Sequence, residues 1–93
     1  MTKFSRPRSW VDHRLADSVE LDGREYTVDL VARRGTGVQG YRVTVVFLPH
    51  GEGEEVQAEL PAATTTADIH GRVRELAGNR ERLAALFREA RGA

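Results

Sequence analysis

The stretch Arg33–Phe47, RRGTGVQGYRVTVVF, is the most informative part of the chain, because it joins a glycine-rich segment to a run of alternating side chains. Tyr41, Val43, Val45 and Phe47 occupy every second position in the second half of this stretch. That spacing is the period of a β-strand that buries one of its faces. We therefore expect a strand to begin directly after the glycines.

The glycines of this stretch have the spacing with which nucleotide-binding proteins hold phosphates. Gly35, Gly37 and Gly40 form the pattern G-x-G-x-x-G. In the dinucleotide fingerprint the last glycine opens a helix, whose free N–H groups bind the pyrophosphate. Because a strand is expected here instead, we interpret the segment as a hairpin connection and expect no nucleotide cofactor.

The same period of two extends in both directions, from Asp17 to Leu60. The apolar positions before the glycines are Val19, Leu21, Tyr26, Val28, Leu30 and Ala32, and those near Pro61 are Val56, Ala58 and Leu60. Turn-rich segments separate the groups, including Asp22-Gly23 and the stretch PHGEGE. The pattern predicts an antiparallel four-stranded meander.

The alternation also sets the register of the strands. Pairing Arg34 with Tyr41 aligns Ala32 with Val43, Leu30 with Val45 and Val28 with Phe47, and pairing Phe47 with Val56 aligns Val45 with Ala58 and Val43 with Leu60. A slip of one residue would turn every apolar set toward water, so these pairings should be strongly specified.

Two registers are open for the first hairpin. A two-residue turn at Asp22-Gly23 places Glu20 opposite Glu25, and like charges at directly opposite positions destabilise a sheet. A four-residue turn that pairs Leu21 with Tyr26 avoids this contact and keeps both faces.

After Pro61 the spacing becomes helical. Thr65 with Asp68 resembles a capping box, and Ile69, Val73 and Leu76 then share one face. Gly78 can end this helix and Asn79 can cap a second one. The second helix carries Leu83, Leu86, Phe87 and Ala90 on one stripe.

We expect one α+β domain over residues 1–93, with the two C-terminal helices packed on one face of the sheet. Its parts are an N-terminal segment (1–16), the β-meander (17–61) and the helical pair (65–91). A third, short helix beginning at Ser9 is compatible with Trp10, Val11 and Leu15 as packing residues.

Composition excludes several kinds of chemistry. The chain has no cysteine and carries 14 basic and 14 acidic residues, so it lacks thiolate chemistry and the global charge of a dedicated nucleic-acid binder. Lys3 is its only lysine, which excludes an internal Schiff-base or P-loop lysine. No apolar run is long enough to cross a membrane, and a cytoplasmic protein is expected.

The residue types of catalytic and metal sites are present but scattered. His13, His50 and His70 show no ligand spacing among themselves, and the acidic turn beside His50 is rich in glycine, so we expect no metal site. No serine or threonine lies in a nucleophile motif, and no acid/base pair can be assigned. We expect no catalytic residues and classify the chain as a non-enzyme.

Two surfaces remain as candidates for binding. The first is an arginine cluster, Arg33, Arg34 and Arg42, in which Arg33 lies opposite Arg42 and Glu59 is diagonal to Arg42. An external anion such as a nucleic-acid phosphate can offset this repulsion. Arg6, Arg8 and Arg14 can extend the patch if the N-terminal segment folds nearby.

The second surface is the outer face of the sheet, away from the helices. It carries the aliphatic side chains Val31, Val46 and Leu48, whereas such a face is usually polar. Trp10 and the N-terminal segment, a second copy of the chain or another partner can cover it. We therefore expect a small non-catalytic interaction domain, with a homodimer through this face as one form. A nucleic-acid- or anion-binding module using the arginine cluster is the alternative.

Overall fold

A computed structural model describes residues 10–34 and 40–92, with side chains from Asp12 onward. These residues form one antiparallel sheet with the strand order β1–β2–β3–β4, and two helices follow it. The elements are β1 (Trp10–Leu21), β2 (Arg24–Arg34), β3 (Tyr41–Pro49), β4 (Val56–Ala63), α1 (Thr66–Leu76) and α2 (Arg80–Gly92). The predicted fold, a four-stranded meander with two C-terminal helices packed on it, is confirmed.

The central registers are confirmed as well. Arg34 pairs with Tyr41 and Val28 with Phe47, while Phe47 pairs with Val56 on its other side. The aligned apolar residues form the inner face of the sheet, which the helices cover. Alternation thus placed the side chains of three strands correctly, because a one-residue slip would expose all of them.

The N-terminal helix is wrong for the residues that the structure describes, because Trp10 already belongs to β1; Ser9 lies outside those residues. β1 has two irregularities, between Arg14 and Ala16 and between Ala16 and Val19, each of which inserts an extra residue. Because of the first bulge, two adjacent residues face the same side of the sheet. Leu15 is buried in the core, and Ala16 packs against it. The bulges break the alternation of apolar residues in β1, so the sequence pattern of this strand resembles that of a helix. The meander spans residues 10–63 rather than 17–61.

The four-residue turn in the first hairpin is also wrong. Asp22 and Gly23 have φ angles of 56° and 83°, as a two-residue hairpin turn of the primed kind requires. Glu20 does lie opposite Glu25. The Glu25 carboxylate accepts a hydrogen bond from Ser18 Oγ at 3.0 Å, which partly offsets the repulsion. His50 Nδ1 lies 3.5 Å from the same carboxylate.

Both helices begin, and α1 ends, where the capping residues predict. Thr65 and Asp68 form the capping box of α1, and Gly78, with a φ of 71°, follows its C-terminal end. Asn79 Oδ1 accepts a hydrogen bond from the backbone N–H of Arg82 at 3.2 Å, which caps α2.

Phe87 of α2 is the centre of the contact between the helices and the sheet. Its ring centroid lies 4.9 Å from that of Tyr26 and 5.2 Å from that of Phe47. Ile69, Leu76 and Leu83 are buried in the same core. Full burial of such a side chain contributes roughly 1.5–3 kcal/mol, so this contact fixes which face of the sheet is inner.

Candidate functional site

The outer face of the sheet carries an apolar band on its two central strands, formed by Val31, Val46 and Leu48. Val46 and Leu48 follow each other on the same face of β3, and Val31 lies diagonally across from Val46 on β2. Val31 and Val46 are 7% and 6% exposed, although neither belongs to the core beneath the helices. Leu48 is half-buried. Leu48 is therefore the member of the band with the most surface open to a partner.

Trp10, which we also expected at this surface, is the first residue of β1 and pairs with Arg33. Its side chain lies outside the described part of the structure, and so do Arg6 and Arg8.

Charged residues of both signs, joined in ion pairs, border the apolar band. Arg14 Nε donates to Asp29 Oδ1 at 2.6 Å, and Arg14 Nη1 donates to Asp17 Oδ1 at 2.8 Å. The hydrogen bond to Asp29, and then that to Asp17, raises the pKa of the Arg14 guanidinium. Arg14 is thus engaged by two carboxylates and does not add its charge to an anion site.

The arginine cluster is divided between the two faces of the sheet. Arg33 lies opposite Arg42 on the outer face, as predicted, and Arg42 Nε donates to Glu59 Oε2 at 2.8 Å. Arg34 pairs with Tyr41 and therefore points to the opposite face, where its guanidinium lies 5.7 Å from the centre of the Tyr41 ring. The three arginines do not converge on one point, and an acidic neighbour already compensates Arg42.

The sequence pattern did not predict a row of hydrogen-bonded polar side chains near the start of β2 and the end of β3. Thr27 Oγ1 lies 2.8 Å from His50 Nε2, and His50 Nδ1 lies 3.5 Å from Glu25 Oε1. The order hydroxyl–imidazole–carboxylate is that of hydrolytic triads. Extending the predicted pairing of β2 and β3 by three residues beyond Phe47 and Val28 would have placed His50 beside Glu25.

The hydrogen bonds of Thr27 run in the direction opposite to nucleophile activation. Thr27 Oγ1 donates its single proton to the backbone oxygen of Asp17 at 2.9 Å. His50 Nε2 must then be the donor toward Thr27, whereas a general base would accept the hydroxyl proton. The arrangement holds the end of β3 against β2 and places an imidazole beside Glu25.

The other two histidines also meet. The rings of His13 on β1 and His70 on α1 are 5.4 Å apart at an angle of 87°. His13 Nε2 is buried and has no hydrogen-bond partner among the described residues. Within residues 10–34 and 40–92, no three side chains of the His, Cys, Asp and Glu types come together as metal ligands would.

The glycine motif leads into a strand. Gly40 has a φ of 96°, and β3 begins at the next residue. An added Cβ at Gly40 would lie 2.6 Å from the backbone oxygen of Ala63 at the end of β4. Gly40 thus has a structural reason to be glycine; Gly35 and Gly37 lie outside the described residues.

Comparisons with protein-family models, curated proteins and solved structures find no match to this chain. Neither described helix is long and apolar enough to span a membrane.

Proposed function

We propose that this chain is a small, non-catalytic interaction domain that acts in the cytoplasm and contacts another protein through the outer face of its sheet. The observation that carries the proposal is the apolar band on β2 and β3 with its border of ion pairs. Protein interfaces combine an apolar centre with a polar rim in this way.

The charges around the band favour a protein over a nucleic acid as the partner. Asp17, Asp29 and Glu59 lie beside the arginines of this face, and each of them accepts a hydrogen bond from a guanidinium. Phosphate backbones are bound by surfaces on which cations dominate. Because Arg34 also faces the other way, the arginine cluster does not support nucleic-acid binding as a second function.

The homodimer through the outer face is the weaker form of this proposal. An isologous contact would use the same patch twice, and Val31 and Val46 are already covered in the single chain. Little apolar surface besides Leu48 then remains for two copies to bury. We therefore propose a different protein, which contacts this face through Leu48 and through the bordering ion pairs.

The proposal is tested by affinity purification of the tagged chain from the organism that encodes it. We expect one protein to copurify with the wild type and with Ala85→Asp, a charge change at an exposed position of α2, but not with Leu48→Asp. Unfolding curves of both variants establish that they are folded. Equal recovery with Leu48→Asp would overturn the assignment of the outer face.

A second measurement addresses the nucleic-acid alternative. Mixed DNA and RNA oligonucleotides are titrated with the protein at low salt, and fluorescence anisotropy is recorded. We expect no binding; an affinity that falls steeply with salt and is lost in Arg33→Ala would favour the arginine cluster instead.

A further inference from the structure

The two edges of the sheet differ in how they are protected. Bulges interrupt β1 between Arg14 and Val19, and the backbone N–H of Gly78 donates to the Leu15 carbonyl at 3.1 Å. This part of the edge is therefore closed to a further strand. Bulges and covering segments are common protections of edge strands.

The opposite edge, Val56–Leu60 of β4, has a regular backbone. These residues pair with β3 without interruption, and the irregularity of this pair lies beyond Leu60. Among the described residues, no strand pairs with the other side of β4. Arg72 donates to the carbonyls of Pro61 and Ala62, so protection of this edge begins only after Leu60.

The side chains of this edge do little to prevent pairing. The five residues VQAEL contain no lysine and no proline, and their one charge, Glu59, is paired with Arg42. Charged residues, especially lysine, and proline are the side chains with which natural edges avoid pairing.

We propose that the β4 edge pairs with the β4 edge of a second copy, antiparallel and centred on Ala58, which joins two sheets into one of eight strands. In this register Gln57 lies opposite Glu59 of the second copy, so that an amide faces a carboxylate twice. Val56 lies opposite Leu60 on the inner face. This interface is separate from the outer face and does not depend on the function proposed there.

Charge complementarity selects this register over its neighbours. Centring the pair on Gln57 would place Glu55 opposite Glu59, and centring it on Glu59 would place that residue opposite itself. Like charges directly across a strand pair are destabilising. Of the three, only the Ala58-centred register avoids such a contact.

The inner face also gains from the pairing. Val56 and Leu60 are half-buried in the single chain and pack against the margin of the core. A two-fold axis perpendicular to the sheet keeps the helices of both copies on the same side. Apolar side chains from each copy then cover those of the other at the seam.

Cross-linking tests the register, and the absence of native cysteine makes it specific. Gln57→Cys and Glu59→Cys chains are prepared separately, then mixed and oxidised. Directly opposite residues have Cβ atoms about 4.5–5.5 Å apart and diagonal ones stand farther apart. We expect disulfide-linked dimers to form faster in the mixture than in either variant alone. Equal rates in all three samples would overturn the register.

Sedimentation tests the pairing itself in the unmodified chain. As the protein concentration is raised toward about 1 mM, we expect the measured mass to rise from 10.3 kDa to twice that value. Gln57→Lys should tighten the dimer about fivefold and Gln57→Glu should weaken it about fivefold, because each dimer contains two such contacts of roughly 0.5 kcal/mol.

Matched controls carry the same charge changes at the β1 side of the sheet. Glu20→Gln and Asn79→Asp should leave the dimer unchanged. A wild-type chain that stays monomeric overturns the proposal; this is the result expected if the edge bound only a foreign strand. The proposal is also overturned if Gln57→Lys and Gln57→Glu both tighten the dimer or both weaken it. The copurification experiment at Leu48 is unaffected by either outcome.

Discussion

Replacing Gly40 by alanine tests how the glycine-rich segment is joined to the sheet. The φ of 96° is unfavourable for a residue with a Cβ, which costs about 1–2 kcal/mol. The new Cβ would also lie 2.6 Å from the backbone oxygen of Ala63, so the end of β4 must move, and such overpacking costs about 1–3 kcal/mol more. We expect a loss of about 3 kcal/mol from a domain whose total stability is of the order of 5–15 kcal/mol.

Gly23→Ala is the matched control, since Gly23 has a φ of 83° and no atom within 4 Å of an added Cβ. The free energy of unfolding of Gly23→Ala should fall by only about 1 kcal/mol, the cost of a positive φ at a residue with a Cβ. Urea unfolding followed by circular dichroism measures both variants; with a slope near 1.5 kcal/mol per molar, the Gly40→Ala midpoint should fall by about 2 M. Equal midpoints for the two variants would refute the contact between Gly40 and the end of β4.

Three further substitutions have expected effects on the free energy of unfolding. Gly71→Ala, inside α1 with open space around the new Cβ, should stabilise the domain by about 1 kcal/mol; a loss in thermal unfolding would contradict this. Thr65→Ala should cost about 1 kcal/mol because it removes the capping box, whereas Thr66→Ala should be nearly neutral in the same denaturant series. His13→Leu should stabilise by about 1 kcal/mol because it removes the buried Nε2, which has no hydrogen-bond partner among the described residues; lower stability in thermal unfolding would contradict this.

The sequence predicted the strands whose side chains alternate without interruption. Val28–Ala32, Tyr41–Phe47 and Val56–Leu60 each bury one face, so their register follows from the period of two. The helix ends were predictable for a different reason, because caps such as Thr65 and Asn79 are local.

The first strand was not predictable by the same rule. Its two bulges bring Leu15 and Ala16 into contact with one core although they are adjacent in the chain, and Val11 and Leu15 then have helical spacing. Repulsion between Glu20 and Glu25 argued against the two-residue turn. The compensating hydrogen bond from Ser18 to Glu25 becomes visible only when the strands are placed side by side.

The candidate site was predictable only in outline. Alternation placed Val31, Val46 and Leu48 on one face and Arg33 opposite Arg42. It could not give their exposure, which depends on how neighbouring side chains cover the face.

Photo-cross-linking at Leu48 detects whether the outer face contacts another protein in the cell. A photoreactive amino acid is placed at Leu48, or at Ala85 on α2 as the control, and the cells of the native organism are irradiated. We expect one discrete protein adduct from position 48 and none from position 85. No adduct at position 48, or the same adducts from both positions, would contradict the claim.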